Sequence, residues 1–379
     1  MRVAVVGAGF SGLMFATALA RAGANVEVFE EHNKVGFPEH CTGLVSERTA
    51  EIIGRPAEGS RIGTIGSFLI SGPRNSMRIR ASSPVVKLDR VKLEELMKEE
   101  AEDEGVRFRF GSRARVTPEG HVLPEGRSYD AVILAEGYMG ALRGILGIGF
   151  TGEPVYGVNV EFDSGGPADF EARFDRATSD GFFSWRVLVG SITIVGTAAR
   201  DPRVLSVKLT KAVRLHGAEG RILKYYGGPI IVGPYPRRVR SGRVVVVGDA
   251  ASMNKPLTGG GLYPSAVASL RAEALVREGV SVADAVERSV LETLRELRQT
   301  YHTSRLLHER PEVVDLIVEA AASTGLADRL SGMIDYDRHH EIIGLSVRTK
   351  EFYASALRVF LRDPVASLRL LVSGLADIV

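Results

Sequence analysis

Three short apolar runs, each followed by glycine, set the pattern of this chain. Residues 2–6 (RVAVV), 129–135 (YDAVILA) and 244–247 (VVVV) are near-continuous rather than alternating. Runs of this length bounded by glycine predict strands buried on both faces, as in a parallel sheet. The first run meets Gly7-Ala8-Gly9-Phe10-Ser11-Gly12 and a helical stretch through Arg21, which Gly23 closes. A second strand is predicted over 25–29 and ends at Glu30 and Glu31. The run at 129–135 enters EGYMGALR (136–143). The run at 244–247 enters GDAASMNKPLTGGG (248–261) and then a predicted helix over 262–278.

Elsewhere the period changes. Residues 33–46, NKVGFPEHCTGLVS, have no period and predict a loop passing over a ligand. Residues 61–80 alternate loosely around Gly63, Gly66, Gly72 and Pro73 and predict a β-hairpin outside the nucleotide fold; 85–88 predicts a further strand. Residues 89–104 read as an amphipathic helix burying Val91, Leu93, Leu96 and Met97, with Asp89 as its cap. Residues 106–110 and 113–117 predict strands of a small antiparallel layer. From about Thr151, alternation over 156–163, 172–175 and 182–197 predicts a separate sheet. A helix over 202–216 and a return segment over 222–236 follow.

Beyond residue 278 the chain reads as helical, with one helix predicted over 282–301. In the last segment Tyr353, Leu357, Phe360 and Leu361 share a face, and beyond Pro364 so do Val365, Leu368, Val372 and Leu375. Arg358, Arg362 and Arg369 are interspersed. Faces of this kind pack as a helical cap on the protein itself or contact a membrane surface.

Composition narrows the function classes. Lys and Arg number 48 against 46 Asp and Glu, and no basic run marks a nucleic-acid partner. A single cysteine, Cys41, excludes an intrachain disulfide and a cysteine metal cluster. The adjacent His339 and His340 lack the i, i+4 spacing of a helical metal pair, so no metal site is expected. No uninterrupted apolar run reaches the length of a spanning helix. A lone glutamine, Gln299, and an excess of Arg over Lys lean towards a thermophilic source.

The chemistry lies at the strand ends. Strand, Gly-x-Gly-x-x-Gly, helix, second strand and terminal acid fall in register for dinucleotide binding, with Glu30 placed for ribose hydroxyls; this alone leaves NAD and FAD open. Asp249 ends the third run, where an open α/β sheet binds its ligand. Gly259, Gly260 and Gly261 let backbone approach a ligand and open a helix whose free N–H groups favour negative charge. A carboxylate for polyol hydroxyls and a helix N-terminus for an electron-rich ring edge suit a flavin dinucleotide. Arg90, at a helix start, reaches a phosphate or is a surface charge. Cys41 is the most reactive group of its loop or a small buried side chain. Phe183 and Trp185 line an apolar pocket or form ordinary core.

With three glycine-bearing strand ends in this order, the chain resembles the p-hydroxybenzoate hydroxylase type of FAD-dependent oxidoreductase. GAGFSG with Glu30, LAEGYMGALR at 134–143 and VGDAA with PLTGGG carry the resemblance, with Glu136 standing where the family usually has Asp. Within that group VGFPEHCTGL and FFSWRVL resemble segments of the geranylgeranyl reductases, with Val187 and Leu188 replacing an aromatic and a Pro. The resemblance implies an α/β (α+β overall) fold: a Rossmann-like FAD-binding domain (1–60, 82–150 and 236–278), an inserted antiparallel β-sheet substrate domain (61–81 and 151–235) and a C-terminal helical region (279–379). It implies FAD bound by Gly7, Gly9, Phe10, Ser11, Gly12, Glu30, Glu31, Cys41, Arg90, Glu136, Gly137, Asp249, Pro256, Gly259, Gly260, Gly261 and Leu262.

It further implies a reductase saturating C=C bonds of isoprenoid (geranylgeranyl) chains, such as those of archaeal ether lipids, by hydride transfer from reduced flavin. Trp185 and Phe183 are then the candidate wall of the alkene pocket, and Cys41 and Tyr263 the candidate proton donors. A flavin-dependent monooxygenase on an apolar substrate, and a non-catalytic lipid or partner carrier, are the alternatives. The electron donor stays open between NAD(P)H and a ferredoxin, and peripheral membrane contact is the partner expectation beyond the lipid itself.

Overall fold

A computed structural model describes residues 1–124, 126–148, 152–339, 341, 346 and 348–378. The expected change of pattern at Thr151, the boundary at 150–151 and His340 lie outside the described residues. The glycine-bounded apolar runs form the centre of a six-stranded sheet. Its order is Arg240–Ser241, Val244–Val246, Ala131–Leu134, Arg2–Val6, Asn25–Phe29 and Arg107–Arg109. All neighbours are parallel except the Arg240–Ser241 edge. Helices Phe10–Arg21, Leu262–Arg277 and Val282–Arg298 pack with this sheet around one apolar core, which explains why the central strands carry no polar alternation.

The last strand corrects an expectation. Residues 107–109 extend the parallel sheet instead of joining the small antiparallel layer, which is built from Arg115–Val116, His121–Leu123 and Arg127–Ser128. The reason lies on the neighbouring strand. Glu27 is buried on Asn25–Phe29 and needs cations; Arg109 Nε meets it at 2.5 Å, Arg127 at 3.2 Å, and the Tyr129 hydroxyl donates to it as well. An arginine-rich edge strand therefore completes a buried charge.

The second sheet has eight strands, in the order Arg221–Ile231, Pro154–Asp163, Ile192–Ala199, Ser184–Val189, Asp169–Arg173, Arg61–Ser71, Ser76–Leu88 and Leu44–Ser46. It is antiparallel except where Asp169–Arg173 runs alongside Arg61–Ser71. The hairpin expected over 61–80 is longer than its pattern shows: its second strand continues through Leu88 and absorbs the separate strand expected at 85–88. Pro84, which cannot donate to a ladder, falls where pairing jumps from Ser67↔Arg80 to Ile65↔Val85. The loop over 33–46 ends by adding Leu44–Ser46 to that strand.

Helix 202–216 is a 3₁₀ turn, Pro202–Val204, leading into Leu205–His216. The helix expected over 282–301 stops at Arg298, and a new one spans Tyr301–Glu309. Helices Pro311–Thr324, Leu326–Leu330, Lys350–Arg362 and Pro364–Ile378 complete the C-terminal part. The first two of these close the second core over the strands Arg61–Ser71 and Ser76–Leu88. No described helix is long and apolar enough to cross a membrane.

Candidate active site

The three glycines of the first motif do three different jobs. Gly7 has φ +101°, and a Cβ there would stand 2.3 Å from the Ala135 carbonyl oxygen. A Cβ on Gly12 would stand 2.0 Å from the Gly7 carbonyl oxygen. Gly9 faces open space: a Cβ there would meet nothing within 4 Å, so the backbone is left free for a ligand. Helix Phe10–Arg21 starts at Gly9 with no side-chain cap, so its first N–H groups point into the cavity unsatisfied. Helix Leu262–Arg277 likewise starts uncapped at Gly261. The two helix starts are tied together by a hydrogen bond between the Ser11 and Ser265 hydroxyls, 2.8 Å long.

One cavity gathers most of the expected residues. Gly9, Phe10, Ser11, Gly12, Cys41, Arg90, Gly137, Asp249, Gly259, Gly260, Gly261 and Leu262 line it, together with Phe183, Trp185 and Tyr263. Asp249 accepts from the Asn254 amide at 3.1 Å and lies beside Gly261, whose Cβ would meet Asn254 Oδ1 at 2.2 Å. Arg90 is buried against the ring of Phe10 and ion-paired with Glu94 one turn along its helix. The surface-charge reading of Arg90 is thereby set aside. Burial works against its charge, but Glu94 outweighs it and holds the guanidinium cationic. Its Nε is buried with no partner.

Other expected cofactor residues stand apart. Glu30 does not line the cavity: it accepts from the Ala8 N–H at 2.7 Å and from the His32 N–H at 2.9 Å, bracing the glycine turn from behind. Glu31 faces solvent, 3.5 Å from Arg113. Glu136 turns back to cap its own short helix, accepting from the N–H groups of Leu142 (2.9 Å) and Arg143 (2.8 Å). Pro256 shapes the loop without reaching the cavity wall, and Gly7 lies beneath the turn.

The far half of the cavity is aromatic. Trp185 lies across its neighbouring strand because residue 196 is glycine: a Cβ there would stand 2.2 Å from the indole. Its Nε1–H donates to Asn159 at 2.9 Å, so the indole is fixed as well as buried. Phe182 and Phe183 stack with centroids 4.4 Å apart, and Phe183 sits 5.7 Å from Trp185. Phe170 and Tyr336 meet edge-on at 6.2 Å. His308 supports Phe182 from behind, at 4.8 Å, and donates to the Leu257 carbonyl at 2.9 Å. Burial pushes its pKa down to about 4, so it is neutral near pH 7. Cys41 Sγ accepts from the Gly43 N–H at 3.4 Å, and burial raises the Tyr263 hydroxyl so that it stays protonated.

Several lining residues escaped the sequence reading. Asn159, Phe170, Asn254, Lys255, Tyr336 and Asp337 all face the cavity. Lys255 lies inside the stretch read for its glycines, so its position was visible and its direction was not. Tyr336 and Asp337 come from a segment with no motif. Among the described residues no group of three acidic, histidine or cysteine side chains is placed to hold a metal.

Comparison with known proteins agrees with this geometry. Residues 5–42 match the family of NAD(P)-binding Rossmann-like domains. Digeranylgeranylglycerophospholipid reductase 1 of Methanopyrus kandleri is 26% identical, covering 88% of this chain and 98% of that protein. The digeranylgeranylglycerophospholipid reductase of Methanocaldococcus jannaschii is 24% identical, covering 81% and 84%. Among solved structures, a geranylgeranyl bacteriochlorophyll reductase-like protein of Thermoplasma acidophilum superposes with a TM-score of 0.77 at 16% identity, covering 98% of both chains. The p-nitrophenol 4-monooxygenase of Pseudomonas putida gives 0.65 at 17%, covering 92% and 98%. The resemblance to geranylgeranyl reductases read from the sequence is borne out, and the chain shares the fold of these two solved structures.

Proposed function

We propose that this chain is an FAD-dependent reductase that saturates carbon–carbon double bonds in the isoprenoid chains of an ether-type lipid. The observation that carries the reading is a single cavity with two characters. One half offers uncapped helix N-termini, an orphaned buried Arg90 Nε, Asp249 and glycine cradles; the other offers fixed aromatic faces. The first half fits FAD. The N–H groups after Gly9 and Arg90 suit its pyrophosphate, Asp249 its polyol chain, and the N–H groups at 259–262 its electron-rich ring edge. When bound and reduced, the flavin supplies hydride.

The protein's own residues do the rest. Phe170, Phe182, Phe183, Trp185 and Tyr336 shape the aromatic half, exclude water and place electron-rich faces where positive charge develops on the alkene. The neutral His308 adds no opposing charge behind them. Two groups on the wall are the candidate proton donors, Cys41 at Sγ and Tyr263 at Oη. The curated relatives named as digeranylgeranylglycerophospholipid reductases favour reduction over oxygenation.

The test is mass spectrometry of lipids after anaerobic incubation of dithionite-reduced protein with a geranylgeranylated glycerolipid. Gains of two hydrogens per double bond are expected. An oxygen-containing product in air, with no hydrogen gain, assigns the site to a monooxygenase instead. Replacing dithionite with NAD(P)H or a ferredoxin identifies the electron donor. Cys41→Ala and Tyr263→Phe separate the proton donors: loss of turnover with flavin still bound marks the one that serves.

The same reading takes in the C-terminal helices. Leu357, Phe360, Leu361, Val365, Leu368, Leu371, Val372 and Leu375 are all more than half exposed. Helix Lys350–Arg362 packs on the protein through its other side, at Ser355 and Val359. An apolar face flanked by Arg358 and Arg369 fits an anionic membrane surface, where such a lipid resides. Leu361→Glu/Leu368→Glu is expected to abolish co-sedimentation with anionic vesicles; unchanged sedimentation removes this contact.

A further inference from the structure

One wall of the cavity carries a charge pair buried as deeply as its aromatic rings. Lys255 Nζ stands 2.5 Å from Asp337 Oδ1, with the two side chains 4% and 2% exposed. The carboxylate is held from behind: its other oxygen accepts the Ser46 N–H at 2.7 Å and the Thr49 hydroxyl at 2.6 Å. Burial opposes its ionisation, but Lys255, Thr49 and Ser46 outweigh it and hold the carboxyl below its ordinary range. The ammonium also lies 4.5 Å from the centre of the Tyr336 ring and 3.4 Å from the Tyr336 carbonyl oxygen.

Its remaining side abuts the glycine cradle. A Cβ on Gly260 would stand 2.7 Å from Lys255 Cε and 3.3 Å from Nζ. The loop is closed around the lysine by the Lys255 N–H on the Gly260 carbonyl (3.1 Å) and the Gly259 N–H on the Lys255 carbonyl (2.8 Å). Taking two charges out of water is expensive, and a neutral polar residue could accept the Ser46 N–H and Thr49 hydroxyl without a lysine beside it. Lysine's charge, kept between the glycine cradle and the Tyr336 ring, points to a ligand whose charge changes.

We propose that the Lys255 ammonium, oriented by Asp337, favours the reduced, negatively charged state of a flavin held against Gly259–Gly261. The proposal rests on the flavin reading above. No bond is made or broken by Lys255; it is an electrostatic contact to the cofactor, additional to the helix N-terminus at Gly261.

The test uses full-length protein reconstituted with FAD. The midpoint potential of the bound flavin is measured by reduction in equilibrium with a reference dye, and affinity for oxidised FAD by fluorescence quenching. Lys255→Met is expected to keep oxidised-FAD affinity within about threefold and to lose about tenfold in preference for the reduced state. That corresponds to a midpoint about 30 mV lower for a two-electron couple. Lys255→Arg is expected to hold the wild-type potential. The double variant Lys255→Met/Asp337→Leu replaces the pair with apolar groups, keeps the fold if the single variant does not, and is expected to shift in the same direction. Bound flavin with an unchanged midpoint in both neutral variants overturns the proposal, as does an equal drop in Lys255→Arg. Wild-type protein that takes up no FAD overturns the flavin reading itself, a result visible before any potential is measured.

Discussion

At the scale of single residues, Gly7 and Gly9 sit two positions apart and make opposite predictions. Alanine at Gly9 meets nothing within 4 Å, so the fold is unaffected while the ligand side of the turn is blocked. Gly9→Ala is expected to keep its melting temperature and to bind FAD at least about tenfold more weakly, the loss of roughly 1.4 kcal/mol of contact. Gly7→Ala forces a Cβ onto the Ala135 carbonyl at a positive φ, and calorimetry is expected to show a loss of about 2 kcal/mol or more. His308 adds a pH dependence. Its pKa of about 4 lies below the ordinary 6.5, so between those values the unfolded chain takes up a proton that the folded chain refuses. Its contribution is intact above pH 6.5 and falls as pH drops towards 4, by about 3 kcal/mol in all. Between pH 6.5 and 4.5 wild-type stability should fall faster than that of His308→Gln. Glu171, held near 2, gives up its contribution only below about 4.5, so it does not confuse that window. The glycines were legible in the sequence because their spacing encodes a turn. Glu136 and Glu30 were legible as acids at strand ends, but their directions depend on which N–H groups lie nearest, and those belong to the backbone after folding.

At the scale of elements, valine runs closed by glycine announced the parallel strands because nothing polar interrupts a strand covered on both faces. Arg107–Arg109 was not announced: its alternation of Arg and Phe suits an edge, and its place is fixed by Glu27 on the adjacent strand. The length of Ser76–Leu88 was hidden by Pro84, which reads as a break and is accommodated as an irregularity. The strand pair Ser184–Val189 and Ile192–Ala199 makes its own prediction. Gly196→Ala would drive a methyl into the Trp185 indole, and the indole cannot retreat without leaving Asn159. We expect a stability loss of about 2 kcal/mol by denaturant titration, with turnover falling more than FAD affinity. Equal loss of both would mean that the indole supports the cofactor half of the cavity rather than the alkene half.

At the scale of the whole molecule, the cavity is built from segments far apart in the chain. Asp337 joins the C-terminal part to the loop at Lys255 and, through Thr49, to the first turn of helix Glu47–Ile53. Asp337→Ala leaves a buried lysine unpaired, and a loss of about 3–5 kcal/mol is expected in thermal unfolding. Lys255→Met/Asp337→Leu should recover part of it, short by about 1–3 kcal/mol because the Ser46 N–H and Thr49 hydroxyl still lack their acceptor. No sequence pattern linked these positions, because the pairing exists only once both sheets and the C-terminal segment have closed on one another. The half proposed to hold FAD was legible because its residues follow their own strands within a few positions; the aromatic half was only half legible because Phe170 and Tyr336 meet through tertiary packing alone.

The hydroxyl bond between Ser11 and Ser265 has a consequence during synthesis. The two serines that it joins are 254 residues apart, so a chain emerging from the ribosome owns only one of the two helix starts of the proposed cofactor site until the later helix has been made. Nascent chains stalled before Leu262 should therefore fail to retain FAD, and those extended beyond Leu262–Arg277 should gain the second helix start, with the wall at Tyr336 and Asp337 still to follow. On the flavin reading, cofactor capture would then serve as a late checkpoint in the life of the chain, reporting that two distant helix starts have found each other.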